Sequence, residues 1–174
     1  MKSENGFTLV ELMITLAIGA ILLTIGVPSF KNFILDNRLV TQANRITNDI
    51  NIARSAAIKY QRTGQICISS NSTTAAPSCD GNGTDWSVGW IVWVDKDRDG
   101  TPDAPGEIVV AAEALSGTTT LTSTALDAIS FDSRGFATST DTLTLCDDRV
   151  GEVGRSIDIR GAGRINISKD PNNC

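Results

Sequence analysis

Residues 7–27 read Phe-Thr-Leu-Val-Glu-Leu-Met-Ile-Thr-Leu-Ala-Ile-Gly-Ala-Ile-Leu-Leu-Thr-Ile-Gly-Val, with Glu11 as their single charge. A helix of that length, rising about 1.5 Å per residue, crosses the hydrocarbon core of a bilayer. The run is too long for the apolar core of a signal peptide, and no small-residue cleavage site follows it. Lys2 ahead of it places the C-terminal part outside the cytoplasm. From Phe30 the pattern turns amphipathic. Apolar residues at Phe30, Phe33, Ile34, Leu39, Ala43, Ile46, Ile50, Ala53, Ala57 and Ile58 fall in steps of three and four, one helical stripe. Asp36, Arg38, Asn44, Asn48, Asp49, Asn51, Arg54 and Lys59 occupy the other side. Pro28 should bend this helix or cost it one hydrogen bond, and Gly64 is the expected stop. The pattern predicts one helix of roughly fifty residues, half apolar all round and half packed on a domain.

Beyond residue 64 the period shortens to two. Alternating runs between turn residues predict strands near 65–69, 86–95, 107–115, 129–132, 141–146, 155–160 and 163–168. Trp86, Val88, Trp90, Val92 and Val94 share one face of the second, with Ile91 and Trp93 on the other, as core packing requires. Gly161-Ala162-Gly163 predicts a hairpin. Residues 70–85, rich in Ser, Thr, Asn and Gly, read as an exposed loop.

Composition narrows the chemistry. Fifteen Lys and Arg against twenty Asp and Glu leave a mildly acidic chain, so nucleic acid is not an expected partner. The sequence contains no His, which removes the commonest general base and metal ligand. With no nucleophile elbow either, no enzymatic activity and no cofactor are expected. Cys67, Cys79, Cys146 and Cys174 form no C-x-x-C pair and all follow the apolar run, which suggests two disulfides made in an oxidising compartment. Three pairings are possible. The expected one is Cys67–Cys79, closing a small loop, with Cys146–Cys174 tying the C-terminus to a strand.

Glu11 is the anomaly of the apolar run, because a carboxylate there costs a few kcal/mol on insertion scales. Gly6-Phe7-Thr8-Leu9-Val10-Glu11-Leu12, the uninterrupted run behind it and Pro28 resemble the leader junction of type IV prepilins and type II secretion pseudopilins. The resemblance implies cleavage between Gly6 and Phe7 by a prepilin peptidase, N-methylation of Phe7, and Glu11 as the assembly carboxylate. Glu11 would pair with the α-amino group of Phe7 on a neighbouring chain and so set axial register. Gly89-Trp90-Ile91-Val92-Trp93-Val94-Asp95 with Asp97, Asp99 and Gly100, then Phe131-Asp132-Ser133-Arg134-Gly135, then Gly163-Arg164-Ile165, resemble the GspH/FimT/FimU branch of minor pilins.

The implied fold is α+β: a long N-terminal helix, half transmembrane and half amphipathic, packed on a mostly antiparallel, β-sandwich-like C-terminal domain. The implied organisation is a leader at 1–6, a transmembrane and assembly half-helix at 7–29, an amphipathic half-helix at 30–63 and a globular head at 64–174. The implied role is that of a minor type IV pilin at or near the pilus tip, helping to prime assembly. A type II secretion pseudopilin and a DNA-binding uptake pilin remain as alternatives. Expected partners are other minor pilins and the major pilin, the prepilin peptidase and the inner-membrane assembly platform. Expected location is the bacterial inner membrane with the head in the periplasm, then the pilus or pseudopilus.

Two further clusters carry candidate chemistry. Asp95, Asp97 and Asp99, with Gly100 in sixth place and Asp103 in ninth, follow the spacing of a calcium loop. The twelfth position is Gly106 rather than Glu, and Glu107 comes one place late, so the bland alternative is a solvated acidic hairpin tip. DNA-uptake pilins of this branch carry a Gly-Arg-x-Arg motif. Gly163-Arg164-Ile165-Asn166 matches it except for Asn166, and Arg149, Arg155, Arg160, Arg164 and Lys169 make the tail locally basic. Arg160 and Arg164 are the candidate DNA contacts; otherwise these cations solvate hairpin edges and deter strand pairing.

Overall fold

The computed structural model describes residues 6–81, 83–149, 154–170 and 174. These form α1 (Leu9–Tyr60), β1 (Gly64–Ile68), β2 (Gly89–Val94), β3 (Ile108–Glu113), β4 (Thr120–Ser123), β5 (Ala128–Phe131), β6 (Asp141–Cys146), β7 (Gly154–Arg160) and β8 (Arg164–Asp170). The chain divides into two compact units, one ending at Asn37 and the other beginning at Arg38.

The first unit is helix with its apolar side chains turned outward on every side. Leu9, Leu12, Leu16, Ile21, Leu22 and Ile25 are all exposed. Pro28 lies inside α1 without ending it. Phe30, Phe33 and Ile34, expected to open the packed stripe, are 65, 62 and 50 % exposed and instead continue this all-round apolar surface. The helix is long and apolar enough to cross a membrane.

In the second unit the stripe does pack. Leu39, Ala43, Ile46, Ile50, Ala53 and Ala57 are buried, at the helical spacing that puts them on one face. They join one core with side chains of two four-stranded antiparallel sheets, ordered β3-β2-β1-β5 and β4-β6-β7-β8. Leu or Ile side chains buried this way contribute about 1.5–3 kcal/mol each. Every residue of β2 is buried. Trp90 and Val92 face the helix, while Ile91 and Trp93 form a second cluster with Cys67 on the opposite face. A strand covered on both faces reads as a continuous apolar run, which is why Gly89–Val94 stands out in the sequence.

Three local features depart from the sequence expectation. Trp86–Val88 is a single 3-10 turn rather than the start of β2, because the Asp85 carboxylate accepts from the Ser87 amide and Gly89 closes the turn. Trp86 is nonetheless fully buried, its indole N–H donating to the Leu126 carbonyl at 3.1 Å. Thr120–Ser123 is a strand that periodicity misses, since Leu121 is its single buried residue. Asp49, placed by period on the solvent side of the helix, is buried and accepts from the Trp90 indole N–H at 2.9 Å.

The helix does not end at Gly64. It ends at Tyr60, with Gln61 in the left-handed region at φ 53°. The Gln61 amide donates to the Ile58 carbonyl and the Arg62 amide to the Ala57 carbonyl, the paired bonds of a Schellman cap. A non-glycine residue there carries a steric cost of about 1–2 kcal/mol. Gln61→Gly is therefore expected to stabilise the head by roughly 1 kcal/mol after the entropy of glycine is set against it, read as a higher Tm. Gly64 has another role: a Cβ there would lie 2.5 Å from the Ala53 carbonyl oxygen and 2.9 Å from the Ala57 Cβ. It lets β1 lie directly on the helix.

Candidate functional site

The N-terminal segment starts α1 with a cap that the sequence reading missed. The Glu11 amide donates to the Thr8 hydroxyl at 3.2 Å, and Glu11 falls three residues after that cap. Thr8-Leu9-Val10-Glu11 is thus the spacing of a capping box, and a carboxylate in the first turn also complements the helix dipole. Phe7 is 84 % exposed, and Gly6 is exposed beside it. Of the expected leader, residues 1–5 lie outside the described residues.

The upper end of the head, where α1 finishes, is organised by Arg54. The period had placed this residue with the solvated cations. Its Nε donates to the Gly135 carbonyl at 2.9 Å and an Nη to the Gly163 carbonyl at 3.2 Å. Gly135 closes the turn after β5, where the Asp132 carboxylate accepts from the amides of Arg134 and Phe136 and pairs with the Arg134 guanidinium. Those bonds hold the Asp132 carboxyl below its usual range, the Phe136 amide contributing most. Gly163 ends the turn of the β7–β8 hairpin, in which the Gly163 amide donates to the Arg160 carbonyl. A Cβ on Gly163 would sit 2.5 Å from the Gly135 carbonyl oxygen and 2.9 Å from Arg54 Nε. The two glycine-containing segments singled out in the sequence are therefore two turns packed together under one arginine. Arg54→Met keeps the aliphatic stem and removes both donors. It should cost about 2 kcal/mol and speed amide exchange at Ala137, whose N–H is bonded to Gly161, as thermal melting and hydrogen exchange would record.

The acidic loop lies beside this end. Carboxylate oxygens of Asp95, Asp97 and Asp99 come within 4.8 Å of one another. Oxygens of the same three groups accept from the amides of Arg98, Asp99 and Thr101 respectively. Asp103 stands outside the group of three; its amide donates to Glu107 Oε2. Glu107 is buried and also accepts from the Lys96 and Asp97 amides, so the residue one place late for a calcium loop binds the loop's own backbone. Thr101 pulls the Asp99 carboxyl down, chiefly through its amide, while the Asp99 charge pushes the Asp103 carboxyl up. Lys96 Nζ bonds the Gly106 carbonyl and lies 4.8 Å from the Tyr60 ring.

Arg160 and Arg164 are opposite one another across the β7–β8 pair, both exposed, and line a shallow cleft with Ile165 and Asn166. Arg149 does not extend this open charge, since it grips Asp147 at 2.7 Å near the other end of the head. Cys67 is bonded to Cys79 and Cys146 to Cys174, each pair with Cα atoms 5.6 Å apart. The first closes the loop over the outer face of β2, and the second fastens Cys174 to the end of β6.

A long helix that is apolar on every side at its start and packed on an antiparallel head further on is the architecture of a pilin-like subunit. The family model for the prokaryotic N-terminal methylation motif matches residues 1–27, and that for type II transport protein GspH matches residues 42–163. The chain belongs to the GspH family. Among solved structures it is similar to two crystal forms of the type IV minor pilin FimU from Pseudomonas aeruginosa strain PAO1. One is 21 % identical with a TM-score of 0.54, covering 80 % of this chain and 92 % of that one. The other is 20 % identical with a TM-score of 0.54, covering 78 % and 98 %. At this identity the likeness establishes the α+β fold. A search of the curated proteins found no match.

Proposed function

We propose that this chain is a minor pilin of a type IV pilus, at or near the tip, where it helps to prime assembly. The observation that carries this reading is the apolar surface exposed all round the first part of α1, where Glu11 is the single charge before Pro28, on a chain that also carries a folded GspH-type head. Such a surface is stable in a bilayer or in a bundle of like helices, and moving from one to the other is what pilin assembly requires. Cleavage between Gly6 and Phe7 by a prepilin peptidase would free the Phe7 amine for methylation and for pairing with Glu11 of a neighbour. The head would stand in the periplasm before assembly and offer its surfaces to other minor pilins, the major pilin and the assembly platform.

The fold likeness to a type IV minor pilin favours the pilus; the matched family's description favours a type II secretion pseudopilus. Deleting the gene separates them. Loss of twitching and of surface pili with secretion intact is the expected result, and the reverse pattern assigns the chain to secretion. The exposed Arg160–Arg164 pair supports DNA contact as a further alternative. Mobility shifts at two salt concentrations test it, since phosphate contacts must weaken steeply with salt.

A further inference from the structure

Residues 69–78 read Ser-Ser-Asn-Ser-Thr-Thr-Ala-Ala-Pro-Ser. Ser and Thr in quantity with Pro are the composition of O-glycosylated stretches. This one is a braced loop. The Cys67–Cys79 disulfide closes it, and the Asp80 amide donates to the Ile68 carbonyl at 2.9 Å. The Asp80 carboxylate accepts from the Ser70 amide and hydroxyl at 2.9 and 3.1 Å. Asn71 braces the interior. Its side-chain oxygen accepts from the Ser69 hydroxyl and the Ser78 amide, and its side-chain nitrogen donates to the Ala76 carbonyl and the Ser78 hydroxyl. Ser72 is buried and donates to the Ala112 carbonyl at 2.8 Å.

Every Ser hydroxyl of the segment is thus bonded within the head, whereas among the described residues the Thr73 and Thr74 hydroxyls have no partner, and both residues are exposed. The Thr74 amide donates to the Asn71 carbonyl at 2.9 Å, which makes 71–74 a β-turn and holds the two threonines at the outside of the loop. Ala75 and Ala76 beside them are exposed too, and their methyl groups leave the approach open, while Pro77 is buried and pins the loop from below. Asn71-Ser72-Thr73 has the spacing of an N-linked acceptor. The structure withdraws that site, because both atoms of the Asn71 amide are committed inside the loop. The free nucleophiles are the two threonine hydroxyls.

We infer that the Thr73–Thr74 turn is an acceptor site for an O-linked glycan, supplied by a sugar carried on a polyprenyl diphosphate. The threonine oxygen attacks the anomeric carbon and forms the glycosidic bond. The bond from that carbon to the diphosphate oxygen breaks, its electron pair leaves with the diphosphate, and the hydroxyl proton passes to a base of the transferase. A turn already fixed in shape loses little freedom when it enters a transferase, so the braces that tie the rest of the loop also favour transfer at its free hydroxyls. The inference rests on the export part of the reading above, since the chain must meet the lipid-linked sugar on the side where its disulfides form.

The experiment takes the full chain from its native cells, alkylates free thiols without reduction and digests it with trypsin. Residues 63–96 come off as one peptide, since no Lys or Arg interrupts them. The expected result is a heavier peptide that sheds sugar on fragmentation, with the added mass on Thr73 or Thr74 when fragmentation keeps the side chains whole. Thr73→Val/Thr74→Val should return the peptide to its bare mass with Cys67 and Cys79 still linked, because neither hydroxyl holds the loop. A native peptide that is linked but at its bare mass, or that carries sugar on Asn71 or any other residue, overturns the acceptor site and leaves export intact. Alkylated Cys67 and Cys79 overturn export and the acceptor site together.

Discussion

Glu11→Ala is expected to leave the chain in the bilayer and keep it out of the filament. Two effects of Glu11 have to be separated, and their sizes separate them. The bond to the Thr8 hydroxyl is made by the Glu11 amide and survives the substitution, so what the side chain adds to the first turn of α1 is its charge at the helix N-terminus, about 0.3–1 kcal/mol. In the proposed role, paired with the Phe7 amine of a neighbour in apolar surroundings, it would act on a larger scale: removing one member of such a pair costs about 3–5 kcal/mol. A loss of the first size dents incorporation; one of the second reduces it by a hundredfold or more at about 1.4 kcal/mol per decade. Glu11→Gln makes the distinction sharper, because Gln also serves in a capping box but carries no charge. Membrane fractionation beside immunoblots of sheared filaments gives both readouts. Normal incorporation of Glu11→Gln would assign Glu11 to the cap and end the register role.

Gly64→Ala is expected to destabilise the head by about 3 kcal/mol, an overpacking cost at the high end of its usual range. The added Cβ would lie 2.5 Å from the Ala53 carbonyl oxygen, and that atom is helix backbone, which cannot swing aside. β1 would have to lift off α1, and β1 lies inside its sheet, bonded to β2 on one side and β5 on the other. Were Gly64 only a helix stop, the substitution would cost less than about 1 kcal/mol. A fall in Tm of roughly 10 °C, measured on the full chain in detergent, is the expected reading. A fall of one or two degrees would reject close strand–helix packing at this position.

The elements visible in the sequence are those whose pattern follows from burial alone. Leu39, Ala43, Ile46, Ile50, Ala53 and Ala57 had to lie on one face, and Gly89–Val94 had to be covered on both. The features that escaped depend on partners distant in sequence. Nothing local distinguishes Arg54 from a solvated cation, since its two acceptors lie 81 and 109 residues away. Asp49 looks like surface until Trp90 is placed above it. Thr120–Ser123 offers one apolar side chain to a periodicity that needs at least two. Phe30, Phe33 and Ile34 fit the stripe by spacing, but spacing says nothing of where a domain begins. The Thr8 cap is different: Thr8-Leu9-Val10-Glu11 carries the capping-box spacing in the sequence itself, overshadowed by the charge of Glu11 in an apolar run.

The Arg54 contacts bear on how such a subunit withstands pulling. In the proposed filament role, tension would reach the head through the part of α1 packed in its core. Arg54 is bonded to the turn that leaves the first sheet and to the hairpin tip of the second. Traction on the helix would therefore be passed to both sheets through one side chain. Arg54→Met would separate the two load paths, so the two sheets should then yield to pulling at different forces.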